Sequence, residues 1–186
     1  QRVDLVVFFP AGAQAGGFVD RLGSTTMTEC AGFTERIGEL GGRRIAVVET
    51  SELHQKLSWI ARDVISLRQP SWVVSTGFAQ ALRSELRRGQ FLIANQLHDR
   101  HGYSLNIETQ TPPSARLHVG SLLTIETGAE IPNRETSEVD GPLAWDLQAA
   151  VLGEVCRVLK RKMIAFHAIG GVPVSDQGKL TKEIKT

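Results

Sequence analysis

The stretch "VDLVVFFPAGAQAGGF", Val3–Phe18, places apolar residues on consecutive positions from Leu5 to Phe9 and follows them with Pro10 and a glycine-rich turn. A strand with one face in water alternates apolar and polar side chains, whereas a strand covered on both faces has no need to. The unbroken run therefore predicts a strand buried between two layers of helices. Behind Arg2 the same run has the outline of a short secretory h-region. Asp4 interrupts its approach and glycines follow it, so the buried strand is the reading adopted.

Similar runs recur outward from this one: "RRIAVVE" (Arg43–Glu49), "WVVSTG" (Trp72–Gly77), "QFLIANQL" (Gln90–Leu97), "HVGSLLTIE" (His118–Glu126) and "KMIAFHAI" (Lys162–Ile169). Helical patterns lie between them. Leu53–Leu67 puts Leu57, Ile60, Ala61, Val64 and Ile65 on one face and stops at Gln69-Pro70. Leu143–Lys160 does the same with Leu143, Leu147, Val151, Val155 and Leu159. Strands alternating with helices predict an α/β fold, a three-layer domain whose central mixed, largely parallel twisted sheet is flanked by helices. No internal repeat or low-complexity linker divides residues 1–186, which read as a single domain. Glu108–Arg116 and Thr127–Pro142 are predicted loops.

Composition narrows the classes of function. The 186 residues are 41% hydrophobic and 22% charged, enough for one domain with a core, and no run is long enough to span a membrane. A net charge of +1 gives no electrostatic reason to expect nucleic acid or an anionic membrane as partner. Cys30 and Cys156 have neither metal spacing nor a disulfide framework, so a reducing cytoplasm is expected. No His/Cys/Asp cluster has ligand spacing, and no metal or redox cofactor is expected.

Sheets of this kind bind ligands at the carboxyl edge of their strands. That singles out the turns "PAGAQAGG", "ETSELHQ", "STGFAQAL" and "GGVPVSD", together with "GPLAWDLQAAVLGEVCR" (Gly141–Arg157), which reads as the start of a helix carrying a site. Taken in order, these segments resemble the nucleoside phosphorylase and nucleosidase superfamily, whose enzymes cleave the N-glycosidic bond of nucleosides with phosphate or water as acceptor. The likeness covers most of the chain. It implies a phosphorylase-like domain with a further helix after the last strand, which this sequence lacks or shortens, so a domain truncated at its C-terminus is expected. It also implies a nucleoside or nucleobase ligand and a homo-oligomer.

The chemistry of that family makes demands on particular positions. A carboxylate or phosphate stabilises positive charge on the ribose, and an acid protonates the leaving base. At the first turn, the family's water-activating glutamate is matched by Gln14, an amide that takes no proton near neutral pH. A surface-turn role for Gln14 stands beside that of a ligand contact. At the second turn, Ser51, Glu52 and Leu53 occupy positions where the family often has glycine, and Ser51 doubles as a helix N-cap. At the third, Thr76, Gly77, Phe78 and Ala79 keep the family's pattern while Gln80 replaces a usual glycine. Phe78 reads either as a base-stacking ring or as a core aromatic. In the opening of the helix, the family's Asp-Met-Glu is matched by Asp146, Leu147 and Gln148, which keeps the apolar surface and loses the charge.

The base-protonating aspartate falls on Gly171 when the segments are laid together without a gap, and on Asp176 when shifted by five residues. His167 is a further acid in principle, although a histidine within an apolar strand reads first as core. Arg43, Arg83, Arg87 and Arg88 are available for phosphate as a co-substrate, with "RSELRRG" read as an exposed helix end. Thr76, Gly77, Phe78, Leu147 and Gln148 are then the expected ligand contacts, and Asp176, Gln14 and Gln148 the positions where catalytic groups belong. Three accounts stand. One is a nucleoside-binding protein with cleavage weakened or lost. Another is an active hydrolase or phosphorylase using Asp176, Glu52 or His167. A third is a structural partner of an active homologue.

Overall fold

The computed structural model of the chain describes residues 2–10, 12–50, 54–126 and 141–171. The first half runs β1 (Leu5–Phe9), α1 (Gly12–Val19), β2 (Gly23–Cys30), β3 (Phe33–Leu40), β4 (Arg43–Thr50) and α2 (His54–Arg68). The second runs β5 (Trp72–Ala81), β6 (Phe91–His98), β7 (Ser104–Asn106), β8 (Leu117–Thr124), β9 (Ala144–Asp146), α3 (Ala149–Val158) and β10 (Lys162–Gly171).

β1 lies in the interior of one mixed sheet, parallel to β4 on one side and to β5 on the other, with Leu5 opposite both Ile45 and Trp72. β3 and β2 extend the sheet antiparallel beyond β4. On the far side, β10 pairs with β5 and β6, and β6 leads through β8 and β9 back to β5, so these five strands close on themselves. The unbroken apolar run of β1 has the expected cause. Val6 and Phe8 enter the core shared with α2 and α3, while Val7 and Phe9 enter a second core shared with α1.

The helix α2 follows its predicted face, with Leu57, Ile60, Ala61, Val64 and Ile65 all buried. It ends at Arg68, and Gln69 turns the chain at φ +48° ahead of Pro70. Arg68 donates from Nε to Glu35 Oε1 at 2.8 Å and from Nη2 to Glu35 Oε2, a forked pair that ties the end of α2 to β3. That hydrogen bonding raises the Arg68 pKa further, and the guanidinium stays charged.

Four local expectations are corrected. The helix read over Leu143–Lys160 begins only at Ala149, because Ala144–Asp146 pairs as β9 with β5 and β8. Leu143 is not on the helix; its side chain covers Gly120, where a Cβ would meet Leu143 Cδ1 at 2.4 Å. "STGFAQAL" is no turn: Trp72–Ala81 runs on as strand because β10 and β9 pair along its length. "RSELRRG" forms successive turns around the buried Leu86, not a helix end. The strand β2 gave no signal, since all of "GSTTMTEC" is exposed and only its pairing with β3 orders it.

Glu35 is 5% exposed, so removing it strands the Arg68 charge at a partly buried site. Glu35→Ala is expected to lower unfolding free energy by about 3 kcal/mol in urea denaturation. A loss within about 0.5 kcal/mol, the range of a surface substitution, shows that the pair is not structural.

Candidate functional site

Asp146, the last residue of β9, is 2% exposed and organises the corner where the chain enters α3. Its Oδ1 accepts from Thr124 Oγ1 at 2.6 Å, and its Oδ2 accepts from the backbone N–H of Ala149 at 2.8 Å and of Gln148 at 3.3 Å. Thr124 Oγ1 in turn accepts from Ala150 N at 2.8 Å. The first N–H groups of α3, which have no partner within the helix, are thus satisfied by a carboxylate and a hydroxyl at the positive end of the helix dipole. His167 on β10 completes the cluster, fully buried, with Nε2 3.2 Å from Asp146 Oδ2 but out of line for a hydrogen bond. His167 is buried as a core histidine is, but neither ring nitrogen has a hydrogen-bond partner among the described residues, so it is not the satisfied core residue the sequence reading expects.

Gln148 is 1% exposed and points the other way. Its Nε2 donates to Phe8 O at 2.9 Å and Thr76 O at 3.1 Å, with Ser75 Oγ at 3.3 Å. Two carbonyls facing one terminal atom require a donor, so the amide orientation is fixed by its partners. Its Oε1 is buried and has no hydrogen-bond partner among the described residues. Leu147 beside it is half-buried.

Gln14 lies on α1, and its Oε1 accepts from Phe78 N at 2.8 Å, tying the helix to the carboxyl end of β5. Gly77 makes this approach possible. Its φ is +140°, and a Cβ there would lie 2.4 Å from Gln14 Oε1 and 2.9 Å from Pro10 Cδ. Phe78 is 55% exposed, so the core reading of this ring is set aside. Gln14, Thr76, Gly77, Phe78, Leu147 and Gln148 therefore gather around the end of β1 and the neighbouring middle of β5.

Gly171 lies opposite Gln80, and a Cβ at Gly171 would fall 1.6 Å from Gln80 Oε1, so the space of an acidic side chain is occupied. Asp176, Ser51, Glu52 and Leu53 lie outside the described residues. Arg43 starts β4, at the opposite edge of the sheet, and faces Asp4 at 3.5 Å. Arg83 donates to Gly141 O at 3.2 Å, while Arg87 and Arg88 are exposed in the following turns.

A separate cleft of about 680 Å³ opens between Ser58 of α2, Val151 and Glu154 of α3, Tyr103 and the end of β8 at Thr124. Burial pushes the Tyr103 phenol up to about 12, and Arg157, bonded to Glu154 from Nε and Nη2, holds the Glu154 carboxyl below its usual range. Neither group changes protonation near neutral pH. Burial also pushes the Cys156 thiol up to about 12, so it stays protonated and unreactive.

This architecture is similar in fold to solved 5′-methylthioadenosine/S-adenosylhomocysteine nucleosidases. The enzyme of Colwellia psychrerythraea 34H, solved with adenine, superposes with a TM-score of 0.74 at 16% identity over 98% of this chain and 88% of that one. That of Helicobacter pylori, solved with butyl-thio-DADMe-Immucillin-A, gives 0.79 at 12% identity, covering 98% and 90%. The Campylobacter jejuni enzyme gives 0.78 at 15% identity, covering 91% and 86%. At such identities the likeness establishes the fold, a mixed α/β domain with a central sheet flanked by helices. No protein-family model and no curated protein sequence matches the chain.

Sequence reasoning missed Thr124, whose role depends on the return of β8 to β9, and it treated Asp146 only as a motif neighbour. The two amides differ in what they accept as replacements. Gln14→Glu keeps an acceptor for Phe78 N and is expected to alter stability by less than about 1 kcal/mol. Gln148→Glu turns an acceptor toward two carbonyls and must fold protonated, so its folded pKa rises above the unfolded value. The penalty is absent below the unfolded pKa and grows to about 2–4 kcal/mol as pH rises toward neutrality. Urea denaturation between pH 4 and 8 checks this; equal, pH-independent losses in both variants contradict it.

Proposed function

We propose that this chain binds a purine nucleoside or its free base at the carboxyl ends of β1, β5 and β10, with N-glycosidic cleavage weakened or lost. One observation carries the reading: the buried Gln148 amide donates to Phe8 O and Thr76 O, and so stands where a carboxylate would be repelled. Cleavage builds positive charge on the sugar, and a neutral amide contributes no matching charge. Among the described residues near this edge, Asp146 is committed to the start of α3 and Glu49 is paired with Arg36. Loss of one such electrostatic group commonly slows a reaction about 10²- to 10³-fold, and loss of a general acid by a similar factor, though the two do not simply multiply.

Binding makes fewer demands. Leu147 offers apolar surface to the sugar in this reading, and Phe78 offers an exposed ring to the base. The ligands in the Colwellia and Helicobacter structures, adenine and an immucillin, are of this shape and support the assignment.

Thermal unfolding of the chain is expected to shift upward by about 5–10 °C with a saturating purine nucleoside, since such a ligand binds only the folded state. Chromatography of the same mixtures, with and without phosphate, is expected to show no free base above the protein-free control. Base release that disappears in Asp176→Asn makes the chain an active nucleosidase or phosphorylase and removes the proposal. Self-association without any ligand-induced shift assigns it instead to a partner-subunit role.

A further inference from the structure

The buried ring of His167 makes no hydrogen bond from either nitrogen among the described residues, although Nε2 lies 3.2 Å from Asp146 Oδ2. A buried polar group without a partner is costly, and its place in a core calls for a reason. The carboxylate beside it is already in use. Asp146 Oδ2 accepts from Ala149 N at 2.8 Å and, by a longer bond, from Gln148 N at 3.3 Å. A neutral imidazole held out of line adds little to that set. An imidazolium carries a full charge and donates from both nitrogens, and a charge-assisted bond is about twice as strong as a neutral one.

The surroundings leave Asp146 as the partner of such a charge. Across the sheet His167 stands opposite Gly77 of β5 and Leu92 of β6. His118 of β8 lies beyond Leu92, two strand spacings or about 10 Å away. The buried side of α3 brings Ala149, Leu152, Val155 and Cys156, and the Cys156 thiol stays protonated. Thr124 of β8 is a neutral hydroxyl that donates to Asp146 Oδ1. Among the described residues, the Asp146 carboxylate is thus the negative charge set against the ring, and the positive end of α3 is the opposing field.

We propose that His167 is a proton-operated switch for the corner where α3 begins. On acidification the ring takes a proton from solvent, closes an ion pair with Asp146 Oδ2 and displaces the weakest donor there, the Gln148 N–H. The charge-assisted bond offsets the loss of that longer one. Asp146 keeps Thr124 Oγ1 and Ala149 N, so α3 stays anchored while the residue before it is loosened. That residue carries the amide that donates to Phe8 O and Thr76 O. The proton is therefore felt where the binding reading above places the ligand. Resting on that reading, ligand affinity falls with pH, and by reciprocity a bound ligand expels the proton.

The test is nuclear magnetic resonance of the isotopically labelled full chain between about pH 5 and 8, the range in which imidazoles titrate. The His167 ring signals, assigned by their loss in His167→Phe, are expected to titrate. The Gln148 amide proton is expected to move upfield on the acid side with the same midpoint, as its bond to Asp146 is lost. In His167→Phe that amide is expected to hold one position at every pH, and His167→Gln gives the same comparison should the phenylalanine variant not fold. A ring that keeps one protonation state, or a Gln148 amide that does not follow the ring, overturns the switch. A Gln148 response that survives in the variants belongs to another group and overturns it too. Calorimetric titration of the wild type with adenosine at both ends of the range is expected to show affinity about 5- to 150-fold weaker in acid, the usual size of such coupling. Equal affinity at both ends overturns the coupling to the ligand. Binding at neither end overturns the binding reading, and the ligand-free spectra still decide the switch.

Discussion

The Gln148 amide donates to carbonyl oxygens on two strands, Phe8 of β1 and Thr76 of β5, from the N-terminal end of α3. These carbonyls are part-buried or buried at the carboxyl end of β1 and the middle of β5, and a buried carbonyl needs a donor. Asp146, two residues earlier, does the opposite and accepts from the N–H groups that start α3. The corner thus divides its work between neighbouring side chains: a carboxylate for the orphaned donors of a helix, an amide for the orphaned acceptors of a sheet. Exchanging either chemistry leaves one set of backbone groups unsatisfied in a site that water does not reach. The helix, the two strands and the closed ring beyond them meet at this point, so its polarity is a condition of the fold.

That condition limits the chemistry the edge supports. Positive charge developing on a bound sugar is stabilised only by negative charge aimed at it before the reaction begins. Asp146 carries such charge, but its oxygens are spent on Thr124, Gln148 N and Ala149 N, and His167 closes the remaining side. Gln14 contributes an oxygen, and Phe78 N already holds it. Among the described residues, what remains at the strand ends is a set of neutral groups with directional hydrogen-bonding capacity, the basis of the binding role proposed above.

The sequence made the central strand and α2 legible because their signals are local. Leu5–Phe9 is apolar without alternation since both of its faces are covered, and α2 repeats its apolar residues with helical period because one face alone is buried. Segments whose state depends on distant partners were not legible. Leu143–Leu147 fits a helical stripe as well as a short strand, and only the approach of β5 and β8 decides for the strand. The polar β2 has no apolar pattern at all, and Trp72–Ala81 contains a glycine that reads as a turn until its partners on both sides are known. At the site, residue types located Gln14, Gln148 and Phe78. Which amide atom faces which group depends on backbone from strands up to 140 residues away in sequence.

The same long-range geometry connects the amides to the missing side chains. Gln14 fills the space where a Cβ of Gly77 would stand, and Gln80 fills that of Gly171. In each case a glycine on one element lets an amide from another reach the backbone at close range. Gln14 stays partly exposed and its oxygen only accepts from Phe78 N, so a carboxylate at that position keeps the same hydrogen bond; the buried Gln148, whose amide faces two carbonyls, does not tolerate the exchange.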